Sequence, residues 1–246
     1  MISIGDVQIG EGQPCRVVAE IGCNHNGSLE LAVQLVHEAA DAGADIVKFQ
    51  AFLPAELLAL RGGDGPAPAP WEGQTLGELY AKAQTPLKWF PKLIENCQAH
   101  SVPWFASVFG LGSLAFMEAM ECPAYKLAAL DFGRRKHRLQ VEATGKPVIR
   151  SSPAPYAKGF TLWCPGGYPQ TFLEGELRRE MRHFDGFSYH GTDPFLPALA
   201  AAFGARMVEV HVQLDDVPSV LDAHSSLTVT QLGQLVDMVR TAEQVA

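Results

Sequence analysis

Several things are scarce in this chain, and each scarcity argues against a class of protein. Its five cysteines, Cys15, Cys23, Cys97, Cys122 and Cys164, form no Cys-x-x-Cys pair and are odd in number. That pattern speaks against a disulfide scaffold or a structural zinc site and for reduced thiols. Cys23 and Cys164 fall near proposed strand ends and are read as packing residues. No apolar run is long enough to cross a bilayer, and no signal-peptide pattern opens the sequence, so a cytoplasmic protein without membrane attachment is expected. Charged residues make up only 19%, the net charge is -8, and there is no extended basic tract. Nucleic acid is therefore not an expected partner, and an anionic substrate would have to be met by a few local cations. Core material, by contrast, is plentiful: 47% of the 246 residues are hydrophobic. That suffices for a single α/β domain over 1–246, since barrels of this class run to about 250 residues.

Short apolar runs bounded by Gly, Pro and small polar residues recur at 16–21, 46–50, 103–106, 124–127, 147–149, 161–164, 186–188 and 207–211. Amphipathic helical patterns fall between most of them, at 28–42, 86–100, 113–120, 135–143, 173–184, 195–203 and 228–245. The clearest opens at Ser28, a good N-cap, and stops at Gly43. Eight strands alternating with helices predict a (β/α)8 TIM-type barrel, with a doubly wound sheet as the second choice. Two stretches break the rhythm. Residues 52–85 form a long excursion, Gly-, Pro- and Ala-rich over 61–70, which reads as a mobile loop near the barrel mouth. Only nine residues, 152–160, join the fifth and sixth strands, whereas a parallel crossover takes roughly a dozen or more. The fifth helix is therefore expected to be reduced or missing. The apolar wall this would uncover suggests a homodimer or a separate partner protein as its cover.

Chemistry-bearing side chains collect at the strand ends. A lone histidine there most often just satisfies a local hydrogen bond, but His190 and His211 follow neighbouring strand runs, and two imidazoles so delivered are an ordinary way to hold a divalent metal. Lys48 and Lys126 sit inside apolar strands, where an unpaired ammonium is costly, so each must be in a salt bridge or bound to a ligand. With Ser107, Ser151 and Ser188 they form a candidate cradle for a phosphate and a carboxylate. Glu20 and Asp131 are candidate partners of the lysines, and Asn24-His-Asn-Gly by itself reads as a turn entering a helix.

Val18-Ala-Glu20-Ile-Gly-Cys-Asn24-His-Asn26-Gly27-Ser28, followed by Ala42-Gly-Ala-Asp-Ile-Val-Lys48-Phe-Gln50, resembles the opening of the sialic acid synthases, which make N-acetylneuraminate, pseudaminate and legionaminate. Matching segments continue in order through Leu79-Tyr-Ala-Lys-Ala-Gln-Thr85-Pro86, Pro123-Ala-Tyr-Lys126-Leu-Ala, Thr144-Gly-Lys-Pro147, Gly167-Tyr168-Pro169, Glu209-Val-His211 and Asp222-Ala-His-Ser-Ser226. The resemblance implies a (β/α)8 barrel that condenses phosphoenolpyruvate with an aldehyde sugar such as an N-acetylhexosamine, releasing phosphate. It implies Mn²⁺, or Mg²⁺ or Co²⁺, at His190 and His211, and phosphoenolpyruvate held by Lys48, Lys126, Ser107, Ser151 and Ser188. Glu20, Lys48, Lys126 and Asp131 become the catalytic candidates, and Asn24, Gln50, Tyr168 and Asp222 further substrate-binding candidates.

The sequence also departs from that pattern. Ser188-Tyr189-His190 stands where Ser-Asp-His is usual, Ala129 replaces a serine, Asp131 replaces a glutamate, and Ser151-Ser152-Pro153 stands for Ser-Thr-Gly. The chain reads as the barrel domain alone, without the family's C-terminal antifreeze-like domain. These departures leave two alternatives open: an altered barrel that serves as a binding or regulatory partner of a synthase, and an aldolase or lyase using another enolate donor.

Overall fold

In the computed structural model, which describes residues 1–156, 158–170 and 174–245, all eight proposed strand regions form one closed parallel barrel. The chain opens with a two-stranded antiparallel hairpin, β1 (Ile2–Ile4) and β2 (Val7–Ile9). The barrel strands are β3 (Arg16–Glu20), β4 (Ile46–Ala51), β5 (Trp104–Val108), β6 (Tyr125–Leu127), β7 (Val148–Ser152), β8 (Phe160–Trp163), β9 (Gly186–Tyr189) and β10 (Met207–Gln213). Each pairs in parallel with the next, and β10 pairs back onto β3, with Met207 opposite Arg16 and His211 opposite Glu20. A short strand, β11 (Ser226–Thr228), pairs in parallel with the C-terminal end of β10, His211 opposite Ser226.

The helices follow the amphipathic patterns. They are α1 (Leu29–Asp41), α2 (Pro54–Arg61), α3 (Leu76–Ala83), α4 (Phe90–Ala99), α5 (Leu111–Ala119), α6 (Arg135–Glu142), α7 (Glu174–Glu180), α8 (Phe195–Ala202) and α9 (Val229–Val245). Ser28 caps α1 as expected, its Oγ accepting the Leu31 N–H at 3.2 Å, and Ala32, Leu35, Val36 and Ala39 face the strands. The proposed helix at 173–184 is α7, and residue 173 itself lies outside the described residues.

Strand period two then sorts the barrel interior into two storeys. Val18, Ile46, Phe105, Ile149, Leu162 and Met207 fill the lower one, and Ile4 and Ile9 of the hairpin close it from below. At this level β9 and β10 approach so closely that a Cβ on Gly186 would lie 2.1 Å from the Met207 carbonyl oxygen. The strand therefore has no room for a side chain there.

Two expectations need correction. The excursion at 52–85 is not a loose loop: it folds as α2 and α3, and Thr75 and Glu78 cap each other's backbone at the start of α3 (3.2 and 2.9 Å). The indole N–H of Trp71 donates to the Leu221 carbonyl at 2.8 Å, tying the connection to the opposite side of the mouth. The fifth helix is indeed missing among the described residues between β7 and β8. The wall it would have covered, however, is largely polar and already buried, with Arg150, Ser152 and Thr161 at 7, 0 and 3% exposure. Arg150 reaches Glu142 and the Lys158 carbonyl and lies 5.6 Å from the Tyr156 ring centre. Gly159 makes room for it, since a Cβ there would stand 1.8 Å from the guanidinium. Among the described residues, the outward side chains of this wall are thus mostly polar and buried rather than apolar and uncovered.

Candidate active site

On strand after strand, the residue two positions beyond the apolar storey points the same way, and these side chains meet at the C-terminal end of the barrel. Glu20 comes from β3, Lys48 from β4, Ser107 from β5, Lys126 from β6, Ser151 from β7, Ser188 from β9, and Glu209 and His211 from β10, all buried. His190 follows β9 directly. Above them opens a cavity of about 600 Å³, lined on its floor by Lys48, Lys126, Ser107, Ser151, His190 and His211. Gln50, Tyr168 and Asp222 line it higher up.

The buried charges are paired, as the cost of burial demands. Lys48 contacts the Glu20 carboxylate and lies 3.4 Å from Glu209. Lys126 pairs with the same Glu209 oxygen and donates to Ser188 Oγ at 3.1 Å. Glu20 also accepts the Gly22 N–H at 2.6 Å. Burial alone would push the Glu209 carboxyl up, but the ammonium groups of Lys126 and Lys48 outweigh it and hold it at about 2. Burial draws Lys48 down to about 7, against the pull of Glu209. Two cations facing two anions leave the floor close to neutral, and Lys48 and Lys126 can turn toward an anionic ligand that enters the cavity.

The imidazoles of His190 and His211 lie 4.9 Å apart between ring centres. Burial lowers His211 to about 4 and His190 well below the ordinary histidine value, and His190 is lowered further by His211. Both are therefore neutral at physiological pH, each with one accepting ring nitrogen, and on His190 that is Nδ1, which accepts from the Gln170 amide at 2.9 Å. The His211 Nδ1 is buried without a hydrogen-bond partner, 3.6 Å from Asp222 Oδ2. Among the described residues, no three His, Cys, Asp or Glu side chains are arranged to hold a metal. Two neutral imidazoles with one orphaned nitrogen nevertheless fit an ion that takes only two protein ligands and fills its other positions from substrate or water.

The structure brings most of the proposed residues together and separates two of them. Asp131 does not reach the cavity: its carboxylate accepts the Ala128 N–H at 3.2 Å and pairs with Arg134 at 2.5 Å, capping the turn after β6. Asn24 is also elsewhere, its amide donating to the Val212 carbonyl (2.6 Å) and to Ser226 Oγ (2.9 Å), so it ties β3 to β10 and β11. Glu20 and Ser188 are absent from the cavity lining but touch the lysines that do line it. Cys23 and Cys164, read as packing residues, both line the cavity.

Two residues of this site carried no assigned role in the sequence. Glu209 shares the period-two face of β10 with Met207 and His211, a signal that could have placed it between the lysines. Gln170 had no such signal. Its backbone N–H donates to the His190 carbonyl at 2.8 Å, its Oε1 accepts the His190 N–H at 3.1 Å, and its Nε2 lies 2.9 Å from His190 Nδ1, which fixes the ring.

Comparison with known proteins agrees with this geometry. The family model described as NeuB family matches residues 35–158 and 162–246. Pseudaminic acid synthase of Helicobacter pylori is 28% identical, over 93% of this chain and 74% of that protein. N,N'-diacetyllegionaminic acid synthase of Campylobacter jejuni is 25% identical, over 93% of this chain and 76% of that protein. The crystal structure of N-acetylneuraminic acid synthetase from Leptospira borgpetersenii superposes with a TM-score of 0.86 at 25% identity, covering 99% of this chain and 89% of that one. The chain therefore belongs to the NeuB family, as a sialic acid synthase-like enzyme built on a (β/α)8 barrel.

Proposed function

We propose that the protein condenses phosphoenolpyruvate with an aldehyde to give a sialic-type 2-keto acid and phosphate. The observation that carries this reading is the floor of the cavity, where Lys48, Lys126, Ser107 and Ser151 converge from four strands below His190 and His211. Two ammonium groups and two hydroxyls suit a small dianion carrying both phosphate and carboxylate. On binding, the donor draws Lys48 and Lys126 away from Glu209, and its own negative charge favours the protonated form of Lys48, which burial draws down. C3 of the enol then attacks the aldehyde carbon, forming the new C–C bond, and the resulting alkoxide takes a proton. Water adds at C2 and passes its proton to a carboxylate; Glu209 and Asp222 are the carboxylates that line the cavity among the described residues. The tetrahedral adduct collapses to the keto acid and expels phosphate toward the lysines.

His190 and His211 would hold a divalent ion, Mn²⁺ in this reading, whose chemistry is to polarise the aldehyde carbonyl. Gln170 fixes the first ring, and Asp222 faces the second. Ala129 offers no hydroxyl where it lines the cavity, so donor binding rests on the four floor residues. Calorimetric titration of phosphoenolpyruvate into the protein, with and without Mn²⁺, tests the proposal. Saturable binding that is lost in Lys126→Met is expected. A folded protein that binds no phosphoenolpyruvate in either condition would overturn it.

A further inference from the structure

The two candidate ion ligands are held differently by their neighbours. Gln170 is buried, and its side-chain amide can sit only one way round. Its Oε1 accepts the His190 backbone N–H at 3.1 Å, while its Nε2 lies 3.0 and 3.2 Å from the carbonyl oxygens of Pro165 and Ser188, which can only accept. The atom 2.9 Å from His190 Nδ1 is therefore the amide nitrogen, a donor with no lone pair to offer. A proton on Nδ1 would be pressed against it, so Nδ1 accepts and the proton of the neutral ring sits on Nε2. The Cys164 sulfur, 3.9 Å from Nδ1, is a weak partner and too distant to reverse this. On His211 the balance runs the other way: its Nδ1 lies 3.6 Å from Asp222 Oδ2, whose charge favours a proton there and leaves the lone pair on Nε2.

An ion takes the lone pair of an imidazole nitrogen. His211 has one ready, and metal-binding histidines ordinarily offer their other N–H to a carboxylate or carbonyl, the role for which Asp222 is placed. His190 is set against ligation: with Nδ1 engaged by Gln170, the nitrogen left for an ion is Nε2, which carries the proton. Moving that proton to Nδ1 breaks the Gln170 bond. Turning the amide over instead would set its Oε1 against two carbonyl oxygens and its Nε2 against the His190 N–H. We propose that Gln170 is a positioning residue that weakens the ion site: it holds His190 as a hydrogen-bond donor, so that His211 is the resting ligand and His190 joins only when the Gln170 bond is given up. This rests on the reading that a divalent ion binds at the two histidines.

The test uses the full chain. With nitrogen-labelled histidine and no metal, long-range proton–nitrogen magnetic resonance spectra near neutral pH report the tautomer of each ring, and the His190 signals are those lost in His190→Gln. The Nε2-protonated pattern is expected for His190, and the Nδ1-protonated pattern would overturn the inference. Mn²⁺ binding is then titrated through the electron paramagnetic resonance signal of the free ion. Gln170→Glu, which turns the donor into an acceptor for Nδ1–H, is expected to bind Mn²⁺ at least about tenfold more tightly than the parent. Part of that gain is the added charge. Gln170→Met, neutral and without a donor, separates the two and is expected to bind about fivefold more tightly. Should that variant fail to fold, the tautomer in the parent decides. Mn²⁺ affinity in folded Gln170→Met equal to or below that of a parent that binds the ion overturns the inference alone. If Mn²⁺ binds neither the parent nor either variant, the ion reading falls and the inference with it.

Discussion

The two storeys of the barrel interior are built from the same strands, two residues apart, and share almost no chemistry. Ile46 and Lys48 are neighbours on one face of β4, as are Met207 and Glu209 on β10, and all four are at most 2% exposed. The lower residues lie among aliphatic and aromatic side chains, where stability comes from close packing and apolar burial. The upper residues are equally buried, yet each charge there is held by a specific partner, Lys48 by Glu20 and Lys126 by Glu209. Equal burial therefore carries different obligations: below, a side chain has only to fill space, whereas above it has to be answered by an opposite charge.

The largest break in this comparison is expected from Glu209→Ala. It leaves Lys126 with only the Ser188 hydroxyl among the partners described above and removes one of the two carboxylates near Lys48. Losing one member of a buried ion-pair group costs about 3–5 kcal/mol. Urea denaturation at neutral pH should show that loss, together with failure of phosphate release. A variant as stable as the parent would show that the lysines do not need Glu209.

A smaller effect is expected from pH, because the upper end of the barrel interior holds titratable groups where the lower storey is apolar. His25, just beyond β3, is buried, its Nε2 has no hydrogen-bond partner, and burial lowers it to about 4. A histidine whose folded value lies below its unfolded one binds fewer protons in the native state. Stability is therefore full above about pH 6.5 and falls as pH drops from there toward 4. At about 1.4 kcal/mol per pKa unit the contribution is roughly 3 kcal/mol. Glu209, held at about 2, retains its contribution through this window. Thermal unfolding followed from pH 7 to pH 4 should show the decline. His211, also lowered to about 4, and His190 add losses of the same sign in this window, so His25→Phe should lessen the decline rather than abolish it, and an unchanged slope in that variant would remove His25 as a source.

These differences also explain what could be read from the sequence. The barrel strands were legible because each is an apolar run cut by Gly, Pro or a small polar residue. The floor was legible because Lys48 and Lys126 stand out within such runs. The hairpin β1–β2 was not, since three-residue strands give almost no periodicity to detect. Asp131 was misplaced because nothing in the order of residues tells a carboxylate entering a cavity from one capping a turn toward Arg134. Arg150 was left just outside the apolar run at 147–149, although its partner Glu142 and the room left by Gly159 are what close the wall where a helix is missing. The engagement of Gln170 with His190 is a tertiary contact across twenty residues, and no local pattern announces it.

The smallest expected effect sharpens the comparison most. Ile46→Val removes one methylene from the lower storey, directly below Lys48 on the same face of β4. Packing there has no specific partner to lose, so the cost is the transfer term plus a small cavity, about 1 kcal/mol. The charges above have their own partners, Glu20 and Glu209, and do not depend on that methylene. The variant should therefore unfold at slightly lower urea with an unchanged slope, while its dissociation constant for phosphoenolpyruvate stays that of the parent. If affinity fell along with stability, the two storeys would be mechanically coupled, and the floor would depend on the packing beneath it rather than on its charge pairs.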